Sequence, residues 1–234
     1  MTKTLLFSAL GALCVFTQLA HAGNLTVVVA DREGRPVPDA VVVIVPTNKT
    51  VLPKTPLPKE ATINQEKMQF IPAVSLLAVG AKVRMVNNDP WNHHVKSSPA
   101  GINQFNTTKV GFEMVLEGKT EGKTAKPVEV MLDSPGVVTA NVLGCFIHGS
   151  MRGFMFVSDS PWASKTGANG TATFEDLPDG AAQVTVWQAD QLIDLPMQNL
   201  ALTASPGKLG LQLSGGNYSA WLPAPKTEST AAAH

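Results

Sequence analysis

The chain has 234 residues, with 18 Lys and Arg residues balanced by 18 Asp and Glu residues, so its formal net charge is zero. Neither a basic cluster nor an interleaving of aromatic and basic residues occurs, which excludes nucleic acid as a partner. The length suffices for one large or two small domains with an apolar core.

The N-terminal segment predicts export. Lys3 precedes an apolar run over residues 5–16, and Ala20 and Ala22 supply small residues at the usual cleavage positions of a secretory signal peptide. We interpret residues 1–22 as that peptide and expect a periplasmic protein. No later segment approaches the roughly 20 continuous apolar residues of a membrane-spanning helix, so no membrane span is expected.

The central part of the chain reads as strands. Residues 76–87 form β-rich runs around a glycine turn, residues 128–133 and 137–143 read as a hairpin around a turn at 134–136, and residues 153–157 add another strand. Helical periodicity is lacking. An all-β fold is predicted, with residues 61–160 as one Greek-key β-sandwich.

The mature chain is expected to contain a single cysteine. Of the two cysteines, Cys14 leaves with the signal peptide, so Cys145 has no partner for an intramolecular disulfide. An unpaired thiol in an oxidising compartment is usually buried, reactive or bound to a metal. Taken alone, Cys145 could be an ordinary buried core thiol.

Histidine and methionine residues near Cys145 favour the metal. His148 and Met151 follow Cys145 within one short loop, and the adjacent pair His93 and His94 ends an earlier predicted strand segment. A thiolate, imidazoles and a thioether together suit copper, because soft sulfur ligands favour Cu(I) and imidazole accepts either oxidation state. Zinc fits less well, since a thioether is a poor zinc ligand.

The loop from Cys145 to Met151, followed by Gly153 and Val157, resembles the ligand loop and final strand of cupredoxins, and its length matches amicyanins within that plastocyanin-like family. The upstream segment with Asp89 and His93 resembles the first-ligand segment. The resemblance implies a cupredoxin Greek-key sandwich with one type 1 (blue) copper. It also implies that Cys145, His93 and His148 are equatorial ligands and that Met151 is the weak axial ligand.

Two assignments depend on this resemblance. Adjacent strand residues point to opposite faces, so one of His93 and His94 faces the metal, and alignment on Val95 favours His93, with His94 as the alternative. Asn88 is expected to brace the site from behind the ligands. By analogy, His148 is the partly exposed ligand through which electrons pass, and Phe146, Ile147 and Pro90 are candidates for an apolar docking rim.

The flanking segments resemble two parts of a carboxypeptidase-regulatory-like β-sandwich. Residues 23–50 carry its opening, and residues 163–222 carry its later turns and strands. The expected organisation is therefore a copper sandwich inserted in, or flanked by, a second small β-sandwich, with residues 47–59 as one connector and residues 223–234 as a disordered tail. The order of modules also resembles bacterial exported proteins labelled as methylamine-utilization proteins.

The resulting hypothesis is a monomeric periplasmic copper protein that shuttles single electrons between redox protein partners. A copper carrier or buffer is the nearer alternative, and a metal-free structural β-sandwich is the distant one. An enzyme is not expected, because neither a Ser/His/Asp arrangement nor a pair of catalytic carboxylates can be argued from the spacing.

Overall fold

The computed structural model describes residues 22–100, 111–121, 126–133, 139–191 and 194–214. Within these ranges the chain forms sixteen strands and no helix, which confirms the predicted all-β fold. The strands are β1 (Ala22–Ala30), β2 (Val41–Pro46), β3 (Glu60–Glu66), β4 (Gln69–Ile71), β5 (Val74–Ala78), β6 (Lys82–Asn87), β7 (His93–Pro99), β8 (Glu113–Leu116), β9 (Val128–Met131), β10 (Thr139–Cys145), β11 (Arg152–Ser158), β12 (Trp162–Lys165), β13 (Thr171–Pro178), β14 (Gly180–Trp187), β15 (Gln198–Leu202) and β16 (Gly207–Gln212).

One β-sandwich is assembled from both ends of the described chain. Its three-stranded sheet has the order β13-β1-β16, and its four-stranded sheet has the order β12-β2-β14-β15. Alternate residues of β1, namely Leu25, Val27 and Val29, are buried in the core between these sheets. The period of two in β1 is the pattern expected of a strand with one buried face. We call this unit the flanking sandwich.

The other sandwich is formed by the intervening strands. A five-stranded sheet has the order β5-β11-β10-β7-β8, and a four-stranded sheet has the order β4-β3-β6-β9. Their shared core includes Ile63, Met85, Leu143 and Val157. We call this unit the central sandwich. The predicted fold, a Greek-key sandwich with a second small sandwich built from the flanks, agrees with this arrangement.

The predicted hairpin over residues 128–143 is wrong. Strand β9 pairs with β6 in one sheet, whereas β10 pairs with β7 and β11 in the other. The runs on either side of Gly80 are separated in the same way, because β5 belongs to the five-stranded sheet and β6 to the four-stranded sheet. These connections cross from one sheet to the other, and strand propensity alone cannot distinguish a crossing from a hairpin.

The two sandwiches meet through the outer faces of two sheets. Val41 and Val43 of β2 lie in one buried cluster with Val74 and Phe154 of the central sandwich. Both faces of β2 are therefore covered, which explains why its sequence is a continuous apolar run rather than an alternating one. Trp187 of β14 adds ring contacts, with its centroid 5.5 Å from that of Phe154.

Several predictions concern other parts of the chain. The signal peptide predicted at residues 1–22 lies outside the described residues except for Ala22, which belongs to β1. The predicted turn at 134–136 and the predicted tail at 223–234 also lie outside them. The connector at 47–59 contains no strand. The domain bounds and the carboxypeptidase-regulatory-like resemblance stay predictions. Within the described ranges, no helix is long and apolar enough to cross a bilayer.

Candidate metal centre

Two neighbouring strands and one loop position three donor side chains. His93 is the first residue of β7 and Cys145 is the last residue of β10, and these strands pair antiparallel with Cys145 opposite Val95. The loop to β11 carries His148, and the Met151 amide donates to the His148 carbonyl at 2.9 Å. The strand pairing thus places the end of one strand beside the start of the other, with a tight loop above them.

The three donor atoms form a compact triangle. The Cys145 Sγ lies 3.6 Å from the His93 Nδ1 and 3.7 Å from the His148 Nδ1, and the two Nδ1 atoms are 3.1 Å apart. Donors around one trigonal or tetrahedral metal, with bonds of about 2.0 Å to nitrogen and about 2.3 Å to sulfur, are separated by about 3.1–3.8 Å. The three side chains could therefore hold a single metal ion.

The adjacent histidines point in opposite directions, as strand alternation requires. His93 is fully buried and belongs to the donor triangle. The ring of His94 is instead partly exposed, pairs with the Glu113 carboxylate at 2.7 Å and lies 5.0 Å from the Phe146 ring. The structure thus brings His93, and not His94, to Cys145 and His148.

Met151 is buried behind the same loop. Its side chain is 1% exposed and lies in the apolar cluster that also contains Cys145. Two residues later, Gly153 is covered by Phe70, because a Cβ atom at Gly153 would lie 2.8 Å from the Phe70 Cβ. Met151 is thus buried in the same cluster as Cys145, and its role as the axial ligand stays a prediction.

Asp89 supports His93 from behind. Its buried carboxylate lies 2.9 Å from the His93 Nε2, and it accepts hydrogen bonds from the amides of Lys67 at 2.6 Å and Met68 at 3.0 Å. A carboxylate can only accept, so the Nε2 carries the proton and the Nδ1 keeps its lone pair toward Cys145. Burial raises the Asp89 pKa, but the hydrogen bonds from Met68, His93 and Lys67 outweigh it and hold the pKa below its ordinary value.

The bracing role of Asn88 stays a prediction, whereas its two neighbours Asn87 and Asp89 make side-chain hydrogen bonds beside the candidate donors. Asn88 donates its backbone amide to the Gln65 carbonyl at 2.8 Å. The Asn87 side chain is buried, donates to the carbonyls of Trp91 and Glu117, and accepts from the Asp89 amide at 2.9 Å. Sequence reasoning used Asp89 only as part of the motif and gave neither Asp89 nor Asn87 a supporting role, although a carboxylate four residues before a histidine is visible in the sequence.

The surface around His148 is apolar. Phe146 and Ile147 are 60% and 57% exposed, and Trp91 is 42% exposed. The Trp91 ring meets the His148 ring edge-on, with centroids 6.4 Å apart. Pro90 is also exposed. Trp91 thus contacts the partly exposed donor histidine, and the docking rim of Phe146, Ile147 and Pro90 stays a prediction.

The donor chemistry fits copper. One thiolate and two neutral imidazoles, with a buried thioether nearby, are the ligand types of electron-transfer copper sites. Calcium and magnesium need hard oxygen donors. Among the described residues no carboxylate belongs to the donor triangle, because the Asp89 carboxylate is bound to the His93 Nε2, the ring nitrogen that points away from Cys145.

No protein-family model matches this chain, and no curated protein matches it either. Among solved structures, a Cu-containing nitrite reductase from Thermus scotoductus SA-01 is 21% identical with a TM-score of 0.33, over 49% of this chain and 25% of that chain. Amicyanin from Paracoccus versutus is 17% identical with a TM-score of 0.33, over 49% and 97% of the two chains.

A purple cupredoxin from Nitrosopumilus maritimus is 17% identical with a TM-score of 0.31, over 42% of this chain and 99% of that one. This chain thus spans only a quarter of the length of the nitrite reductase it matches. The structural neighbours are cupredoxins, at low identity and over part of this chain.

Proposed function

We propose that this protein holds one type 1 copper ion and transfers single electrons between redox proteins. The observation that carries the proposal is the triangle of Cys145 Sγ, His93 Nδ1 and His148 Nδ1, with spacings of 3.1–3.7 Å. In that role Cys145 as a thiolate and His93 and His148 through their imidazoles would hold the copper, and the Met151 thioether would be a weaker fourth ligand. When bound, copper supplies a Cu(I)/Cu(II) couple.

The protein frame suits a site that keeps one geometry in both oxidation states. His93 is held by Asp89, which is in turn held by the backbone of the turn between β3 and β4. Cys145 sits on a strand paired on both sides, within β7-β10-β11. Ligands fixed in this way rearrange little when the metal charge changes, which lowers the barrier to electron transfer.

His148 is the proposed point of electron exchange. It is the donor with partial solvent exposure, its ring contacts that of Trp91, and the exposed apolar residues Phe146 and Ile147 precede it in the same loop. An apolar rim excludes water from an encounter complex without imposing the orientation that paired charges would impose. The proposed partners are redox proteins in the periplasm, reached after removal of the signal peptide, and the protein acts as a monomer without catalysing a substrate reaction.

The decisive experiment is the visible absorption spectrum of the mature protein loaded with Cu(II). We expect an intense thiolate-to-copper band near ~600 nm in the parent protein. The band should disappear in Cys145→Ala and His93→Ala. It should persist in His94→Ala, which removes the outward-facing imidazole of the same strand and is therefore the matched control.

The outcome discriminates among the functions considered. A parent protein that binds copper without such a band contradicts the type 1 site and leaves copper carriage, and a protein that binds no copper leaves the structural sandwich. Loss of the band in His94→Ala but not in His93→Ala would contradict the ligand assignment. Replacement of Phe146 by Glu should slow electron exchange and leave the band in place, because the side chain lies on the surface.

A further inference from the structure

Gln65 is a buried amide that the proposed site does not use. It lies on β3 with zero exposure, two residues after the core residue Ile63, so its side chain points into the central sandwich. Neither its Nε2 nor its Oε1 has a hydrogen-bond partner among the described residues. An amide buried without partners is costly, so its presence in an apolar core calls for a reason.

The strand register places Gln65 at the metal end of the sandwich. Its Cα partner on β6 is Asn87, which precedes the segment that carries Asp89 and His93. Its Cα partner on β4 is Phe70, whose side chain covers Gly153, two residues after Met151. One neighbour of Gln65 thus precedes the segment that carries His93, and the other contacts the backbone two residues after Met151.

Asn87, which is paired with Gln65 across the two strands, is a buried amide whose hydrogen bonds are satisfied. The Asn87 Nδ2 donates to three carbonyls, those of Trp91, Leu116 and Glu117, and its Oδ1 accepts from Asp89. Asn87 is thus locked in a structural role. The Gln65 amide has no such partner in the part of the chain that the structure describes, so no hydrogen bond there fixes the direction of its dipole.

We propose that Gln65 tunes the metal site through its amide dipole. A bound cation is the largest local charge in such a region, and an unpartnered amide turns its carbonyl oxygen toward it. The attraction between a dipole and an ion grows with the ionic charge. Gln65 therefore stabilises Cu(II) more than Cu(I) and lowers the reduction potential. This inference rests on the proposed copper function.

The test compares Gln65→Leu with the parent protein. The substitution keeps the side-chain size and removes the dipole, so the preference for Cu(I) over Cu(II) should rise about three- to tenfold. The midpoint potential should rise accordingly, by up to about 59 mV, the value of a tenfold change in a one-electron couple. The copper-free protein should be as stable as the parent or more stable, because an unpaired buried amide has been removed.

Ser75→Ala is the matched control. Ser75 is 6% exposed, its Oγ also lacks a partner among the described residues, and it lies on β5 opposite Met155 in the register with β11. Its removal should leave the potential unchanged. Gln65→Met serves as a second variant if Gln65→Leu does not fold.

The possible failures are distinguishable. A parent protein without the thiolate-to-copper band defeats the copper function and this inference together. A parent protein with the band, and Gln65 variants whose potential equals that of the parent, defeat this inference alone. A rise in potential as large in Ser75→Ala as in Gln65→Leu also overturns it, because any buried polar group would then have the same effect.

Discussion

Replacement of Asp89 by Asn tests how the fold supports the metal centre. The parent carboxylate accepts from the amides of Lys67 and Met68 and from the His93 Nε2. An asparagine of nearly equal size has only one acceptor oxygen, and its NH₂ group would face a donor. At least one buried N–H group therefore loses its acceptor, and the negative charge behind His93 is lost.

The magnitude follows from these contacts. Loss of a hydrogen bond to a charged group costs about 1.5–3 kcal/mol, and an unsatisfied buried donor costs about 1–3 kcal/mol. Residues that hold a metal-ligating histidine from behind typically change metal affinity by about 10–100-fold, or roughly 1.4–2.8 kcal/mol. We expect Asp89→Asn to weaken copper binding within that range and to lower the stability of the copper-free protein by about 2–3 kcal/mol.

The chain offers a matched control for this substitution. Glu113 pairs with the His94 Nε2 at 2.7 Å, so it forms the same carboxylate–imidazole pair on the adjacent strand residue, but its side chain is 50% exposed. Glu113→Gln should change copper affinity and stability little, because exposed pairs are screened by solvent.

Copper affinity is measured by competition with a chelator, and stability by urea unfolding of the copper-free protein. Equal losses of affinity in Asp89→Asn and Glu113→Gln, or unchanged affinity in Asp89→Asn, would refute the reasoning. In the first case the carboxylate would act through the overall charge of the protein, and in the second the orientation of His93 would not depend on Asp89.

Two further predictions concern the flanking sandwich and its contact with the central one. Burial raises the pKa of Asp31. Hydrogen bonds from Arg35 and Glu33 and the positive charge of Arg35 together lower this pKa by more than burial raises it, so it lies below its ordinary value of 3.8. The ionised Asp31 carboxylate stabilises the fold above pH 3.8, and this contribution is lost as the pH falls through the lowered pKa. In Asp31→Asn the free energy of unfolding should therefore decrease less steeply with falling pH than in the parent protein. An equal decrease in both proteins would contradict this prediction. Trp187→Ala removes the ring contacts to Phe154 and Phe156 and should lower the free energy of unfolding by up to about 3–5 kcal/mol. The copper spectrum should stay unchanged. A change in that spectrum would contradict this prediction and show coupling between the two sandwiches.

The candidate copper site could be predicted from the sequence because three of its proposed donors lie within seven consecutive residues, from Cys145 to Met151. A loop that short keeps its side chains together whatever the rest of the fold does. The all-β fold could also be predicted, since period-two patterns such as that of β1 report one buried face. The continuous apolar run of β2 carries no such period, because the central sandwich covers its second face.

Other features were decided by the tertiary structure. Strand alternation shows that His93 and His94 face opposite sides, but which side is the interior depends on the sheets that pack there. The partners of Asp89 come from a turn more than 20 residues earlier in the chain. The sequence by itself therefore determined the candidate donor set and the strand character, which are local properties. Only the folded chain decided which histidine faces inward and what holds it, because those depend on contacts between distant segments.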